Sequence, residues 1–259
     1  MSDSRDTANP DWVTTSKPMQ IIQPVVDILR SPNGARDRQM LLGETATVLG
    51  EHEGHTYLRA DKDGYIGFVN PQALGPQTQA THRVQALATH CYRDANMKSP
   101  DQMTLSHGSQ ISALQTHDTF TETTLGFIPK QHLSPIGQKE ADPINVAKRY
   151  LGTPYLWGGN SRLGLDCSGL VQAALTACGY KCPGDSDQQE RALGTKLADN
   201  SKPEKGDLFF WKGHVALVAD EETLIHANAH HMAVAYENIN AALQRIETAE
   251  GPRTSHIRL

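Results

Sequence analysis

Long apolar runs are missing from this sequence, and so is any strong excess of charge. No segment offers the roughly 20 consecutive apolar residues of a membrane-spanning helix. The opening MSDSRDTANPDW lacks the apolar core of a signal peptide and any lipid-attachment signal. The expected compartment is the cytoplasm, with no membrane partner. A formal net charge of -5 over 259 residues is a mild acidic balance, which argues against nucleic acid as a partner. Cysteine is scarce as well. Four in the chain exclude a disulfide-stapled scaffold. Cys91 is isolated, and a zinc site on Cys178 and Cys182 would lack two further ligands. Oligomeric state is left open.

The length suits one large domain or two to three small ones. Residues 1–18 read as a polar leader, disordered or loosely docked. From Val25 short strand-like runs alternate with turns, as in TATVLG, TYLRA and YIGFV, which predicts a small barrel of five or six strands over 19–77. Residues 78–135 read as a second copy: LLGETATVL matches LSHGSQISAL in shape, and GFVNPQAL matches GFIPKQHL. Residues 136–259 change character. DPINVAKRYLGTPY predicts a helix capped by Asp142 and ended by Gly152, and a second helix starts at Cys167. SDQQERALG predicts a third, with Ser186 as cap. DLFFWKG, HVALVAD, TLIHANA and MAVAYENI then read as consecutive strands, making an α+β domain.

Cys167 stands at the first turn of its helix, behind a loop shaped by Gly158, Gly159 and Gly164. Unpaired N–H groups and the positive end of the helix dipole favour thiolate there. His214 opens one strand and His226 lies in the next. Paired as a hairpin about Asp220–Glu222, they meet across the ladder, with His214 as base toward sulfur and His226 orienting its ring. A neutral orienter keeps the middle ring neutral more readily than a carboxylate does. A metal held by the two histidines and the cysteine would lack a fourth ligand. His230 and His231 read as solvated turn residues, and no metal or cofactor is expected.

YLWGG (155–159), DCSGLVQ (166–172), DSDQQ (185–189), GDLFFW (206–211), GHVALV (213–218) and IHANA (225–229), in that order, resemble the NlpC/P60 family of bacterial cysteine peptidases. The preceding repeat is similar to the bacterial SH3-like domains that accompany it. The implied fold is multidomain: two small all-β SH3-like barrels followed by an α+β papain-like NlpC/P60 domain. The resemblance implies cleavage of peptidoglycan stem peptides between γ-D-glutamate and a diamino acid, with Cys167 as nucleophile, His214 as base and His226 as third member. Tyr155 is implied near the oxyanion; its alternative is core packing beside Trp157. The SH3-bearing subgroup implies a murein tri- or tetrapeptide substrate with a free N-terminal L-alanine, used in cell-wall peptide recycling. Its amine would meet Asp185 and Ser186, with Asp166 and Ser168 beside the nucleophile; Asp185 and Ser186 also suit helix capping. Tyr65 is implied at the rim of the groove. Three alternatives remain: an endopeptidase or amidase acting on intact wall, a wall- or peptide-binding protein with an idle peptidase domain, and an acyltransferase using the same nucleophile.

Overall fold

The computed structural model describes residues 3–259; Met1 and Ser2, the start of the expected leader, lie outside the described residues. The chain divides into two units, Met1–Gln138 and Lys139–Leu259. The described part of the leader is packed, not loose. A 3-10 turn at Pro10–Trp12, capped by Asn9, sets the Trp12 ring against His52, Tyr57 and Phe68, with centroids 5.1, 5.4 and 5.4 Å away. One tryptophan carries enough apolar area to dock an otherwise polar segment. The first strand also starts earlier than the apolar pattern indicates, at Lys17.

In the first unit, β1 (Lys17–Ile21), β2 (Val25–Leu29), β3 (Arg36–Leu41), β4 (Thr45–His52), β5 (His55–Ala60), β6 (Ile66–Val69) and β7 (Leu74–Gly75) form one sheet in the order β3-β2-β6-β5-β4-β1-β7. Ile21, Ile28, Met40, Leu58 and Val69 fill its interior. The following strands are β8 (His82–Val84), β9 (Ala88–Tyr92), β10 (Asp101–Ser106), β11 (Gln110–Ile111), β12 (Ala113–Thr116), β13 (Phe120–Thr123), β14 (Gly126–Pro129) and β15 (Leu133–Pro135). Their pairings repeat those of the first set: β8 bonds β11 and β15 as β1 bonds β4 and β7, and β9 bonds β10 and β14 as β2 bonds β3 and β6. The second set departs from a single barrel in one respect. The counterpart of the long β4 is broken at Ser112 into β11 and β12, so the ladder falls into a five-stranded and a three-stranded sheet. Ser112 Oγ instead donates to the Gln79 carbonyl at 2.7 Å.

The second unit holds α1 (Pro143–Lys148), the short hairpin β16 (Asn160–Ser161) and β17 (Gly164–Leu165), α2 (Cys167–Ala177) and α3 (Ser186–Ala192). Then come β18 (Thr195–Lys196), β19 (Leu208–Trp211), β20 (His214–Val218), β21 (Thr223–Asn228), β22 (Ala233–Asn238), α4 (Ile239–Glu250) and β23 (Ser255–Arg258). The sheet is antiparallel in the order β18-β23-β19-β20-β21-β22. Asp142 caps α1 as expected, its Oδ1 accepting from Ile144 N at 2.8 Å. The cap of α3 is one residue earlier than expected: Asp185 holds it in a capping box with Gln188, and Ser186 is the first helical residue. α2 is buried along nearly its whole length and lies against β20 and β21. On one face of the sheet, α4 covers Phe209, Trp211, Ala216, Val218 and Leu224 with Ile239, Ala242 and Ile246. Alternation then sends Val215, Leu217, Ile225 and Ala227, all fully buried, to the other face.

Candidate active site

The turn before α2 is fastened by one carboxylate. Asp166 Oδ1 accepts from Gly169 N at 2.6 Å and Ser168 Oγ at 3.1 Å, while Oδ2 accepts from Gly158 N at 3.0 Å. The first bond is an N-cap; the last ties the glycine loop to the helix start. The loop must come very close: a Cβ at Gly169 would lie 2.4 Å from the Gly159 carbonyl oxygen. Cys167 is thereby held at the first helical position. Its residue is 6% exposed, and its Sγ lies 3.9 Å from the carbonyl oxygen of Gly213, the residue before His214. The chain's four cysteines are all outside disulfides.

His214 arrives through a tight β19–β20 hairpin, in which Trp211 faces it. Gly213 has φ +77° and nothing within 4 Å of the Cβ it lacks, so the turn conformation is what calls for glycine there. In β20–β21, Leu217 faces Ile225 and Val218 faces Leu224, which puts His214 diagonal to His226 on one face. Their rings meet, with His214 Nε2 2.9 Å from His226 Nδ1. Beyond them, His226 Nε2 lies 3.0 Å from Glu237 Oε2, and Arg245 grips Glu237 through Nε to Oε1 at 2.8 Å and Nη2 to Oε2 at 2.7 Å. Sequence reasoning missed Glu237 and Arg245, because it ended at a strand through Ile239 and did not anticipate α4. Asn238 followed by the periodic apolar positions of INAALQRI was the available signal.

Burial, then repulsion from His226 and Arg245, pushes the His214 imidazole down to about 3 against the pull of Glu237. Burial also lowers His226, outweighing its hydrogen bond to Glu237. Arg245 holds the Glu237 carboxyl far below the usual carboxylate range despite its burial, with His226 adding to the effect. At neutral pH the pair is therefore two neutral rings in front of a carboxylate, and His214 can accept a proton. Tyr155 is anchored by its N–H to the Met232 carbonyl at 2.9 Å. Burial first, and the charges of Cys167 and Asp166 next, keep its phenol protonated and thus a donor. Trp157, the alternative packing neighbour, is 63% exposed, so that pair forms no core.

The expected amine site is assembled only in part. Ser168 and Ser186 are buried, and Gln189 Nε2 bonds the Ser168 carbonyl at 2.9 Å, tying α3 to the first turn of α2. Asp185 caps α3, and the two oxygens of Asp166 already take three donors. Tyr65, expected at a groove rim, is only 4% exposed and belongs to the apolar cluster of the first unit, where its ring packs as core. His231, expected to be merely solvated, is exposed but bonds Asn228 Oδ1 through Nδ1 at 2.9 Å. Side-chain donor atoms of His226, His231 and Glu237 lie within 4.8 Å of one another, close enough for a metal ion. The Arg245 guanidinium on Glu237 already supplies the positive charge a cation would bring.

Comparison with known proteins adds the family. Residues 152–249 match the NlpC/P60 family, and residues 28–74 match the bacterial dipeptidyl-peptidase Sh3 domain. The chain is 28% identical over 215 residues to the gamma-D-glutamyl-L-lysine dipeptidyl-peptidase of Bacillus subtilis (strain 168), covering 73% of this chain and 71% of that one. It is 39% identical over 85 residues to dipeptidyl-peptidase 6 of Lysinibacillus sphaericus, covering 33% of this chain and 31% of that relative. An NlpC/P60 family protein from Bacillus cereus ATCC 10987 shares the fold, with a TM-score of 0.79 at 19% identity over 93% of this chain and 99% of that one. The SH3 match runs from Ile28 in β2 to Leu74 in β7 and stops before the second strand set. Residues 152–249 thus form a papain-like α+β cysteine peptidase domain of the NlpC/P60 family, which follows an N-terminal SH3-like β domain, and the chain is related to the gamma-D-glutamyl dipeptidyl-peptidases.

Proposed function

We propose that this protein hydrolyses peptide bonds of peptidoglycan through a thioester on Cys167. More narrowly, it cuts free murein tri- or tetrapeptides between γ-D-glutamate and the diamino acid, in cytoplasmic recycling of wall peptides. The observation that carries the general reading is the Cys167 sulfur at the head of α2, beside the strand that opens with His214, whose ring is hydrogen-bonded to His226 on the next strand. His214 takes the thiol proton as sulfur attacks the γ-carbonyl. The oxyanion forms against the Cys167 N–H and the Tyr155 hydroxyl. His214 then returns the proton to the leaving amine, and water hydrolyses the thioester. Tyr155→Phe should lower kcat about 100-fold with little change in KM. An unchanged kcat would remove Tyr155 from the oxyanion site.

The narrower reading is supported by similarity to dipeptidyl-peptidases in both matched domains. In it, the second strand set is a diverged SH3-like copy. A specific observation favours a second reading, an endopeptidase on intact wall: Asp166 is already occupied by the turn it fastens, which leaves the ammonium pocket to Asp185. Mass spectrometry of products separates the two. With L-Ala-γ-D-Glu-meso-diaminopimelate as substrate, N-acetylation is expected to abolish cleavage. Equal rates on blocked and free peptide, together with release of fragments from intact sacculi, would establish the wall endopeptidase instead.

A further inference from the structure

The hydrogen bonds behind His214 determine more than the orientation of its ring. Glu237 is ionised and clasped by Arg245, so its oxygens only accept. His226 Nε2 must then carry a hydrogen and donate to Glu237 at 3.0 Å. A neutral His226 so protonated has a bare Nδ1, which accepts from His214 Nε2–H at 2.9 Å. That leaves His214 protonated at Nε2 and bare at Nδ1.

We propose that Glu237, clamped by Arg245, is a positioning residue that fixes the tautomers of both histidines, so that His214 presents a bare Nδ1 to the Cys167 sulfur. The proposal rests on Cys167 and His214 being nucleophile and base. When the Cys167 S–H bond breaks, its proton forms a bond to His214 Nδ1 and the electron pair stays on sulfur. The positive charge on His214 is then stabilised through His226 by the Glu237 carboxylate. Arg245 has the opposite duty. Without its charge, Glu237 would draw a proton onto His226 Nδ1, which would point a donor at His214 Nε2 and force the base into the wrong tautomer. The charged and titratable groups facing His226 are His214 from β20, Glu237 from β22, Arg245 from α4 and His231 from the β21–β22 turn.

Nitrogen-15 NMR of histidine-labelled protein at pH 7 tests this without any variant. Both His214 and His226 are expected to show a protonated Nε2 and an unprotonated Nδ1; a protonated Nδ1 on either overturns the proposal. Glu237→Leu removes the acceptor at similar size. It is expected to mix the His226 tautomers and to lower the rate of Cys167 alkylation by iodoacetamide at least tenfold at pH 7, with a changed pH profile. Arg245→Lys keeps the cation and should stay within about threefold of the parent. An unaltered tautomer signature and alkylation profile in folded Glu237→Leu would sink the proposal. Alkylation needs no peptide, so a wrong substrate leaves this test intact. A parent whose Cys167 alkylates like a free thiol with no dependence on His214 would fail the nucleophile–base assignment itself.

Discussion

Cys167→Ala is expected to lower turnover of any accepted peptide by at least about 10⁴-fold, with the fold unchanged. The chemical half follows from the thioester: alanine offers no electron pair, and His214 then has no proton to take. The structural half follows from the site. The sulfur's contact with the Gly213 carbonyl is long, at 3.9 Å, and the cap on α2 belongs to Asp166, not to the cysteine. Alanine is also the best helix former. A melting temperature within a few degrees of the parent, with product formation at background, is the expected pair of measurements. Residual turnover near the parent level would remove Cys167 as nucleophile. In the proposed mechanism Cys167 and His214 act as a unit, so Cys167→Ala combined with His214→Ala should fall little below the single variant.

Asp207→Asn should damage stability rather than chemistry. Asp207 is buried where GDLFFW enters β19, and it accepts from His256 Nε2 at 2.7 Å and from Arg258 Nε and Nη2, each at 2.8 Å. These bonds fasten β23, the last strand, to the edge of β19. Arg258 and His256 outweigh the effect of burial and lower the Asp207 carboxyl below its usual value. Removing one partner of a buried pair costs about 3–5 kcal/mol, and the lower end applies because Arg258 still reaches water. A loss of about 3 kcal/mol should lower the melting temperature by about 10 °C. An unchanged melting curve would show that the C-terminal strand is held by other means.

The sign of the pH dependence follows from the same groups. His214 and His226 have lowered values in the folded state, so below about 6.5 the unfolded chain binds more protons and stability falls with pH. Asp207 adds a further loss below about 4, as its folded carboxylate is finally protonated. Chemical denaturation of the parent should show erosion in both ranges. Asp207→Asn should keep the first in full and lessen the second, the remainder coming from carboxyls such as Glu237 that are also held low.

What was legible in the sequence had local causes. Asp142 before Pro143, the glycine loop before Cys167 and the period-two runs from Leu208 each specify their structure within a few residues. The diagonal of His214 and His226 followed from a hairpin with a short turn. Longer-range effects were hidden. Trp12 docks a polar leader onto residues 40–56 positions away, which no window on the leader reveals. Tyr65 looked available in a turn-rich stretch, but its ring lies in the core. Glu237 sits at the end of a strand in an ordinary polar context, and only the register of β21–β22 brings it to His226.

That ladder has one more consequence. His214, His226 and Glu237 stand on three successive strands, and neighbouring strands differ in facing by the parity of a single residue. A chain that mispairs β20, β21 or β22 by one position would not be a slower peptidase. It would expose an imidazole on the wrong side and leave the thiol inert, so burst titration of the active sulfur would count correctly zipped molecules directly.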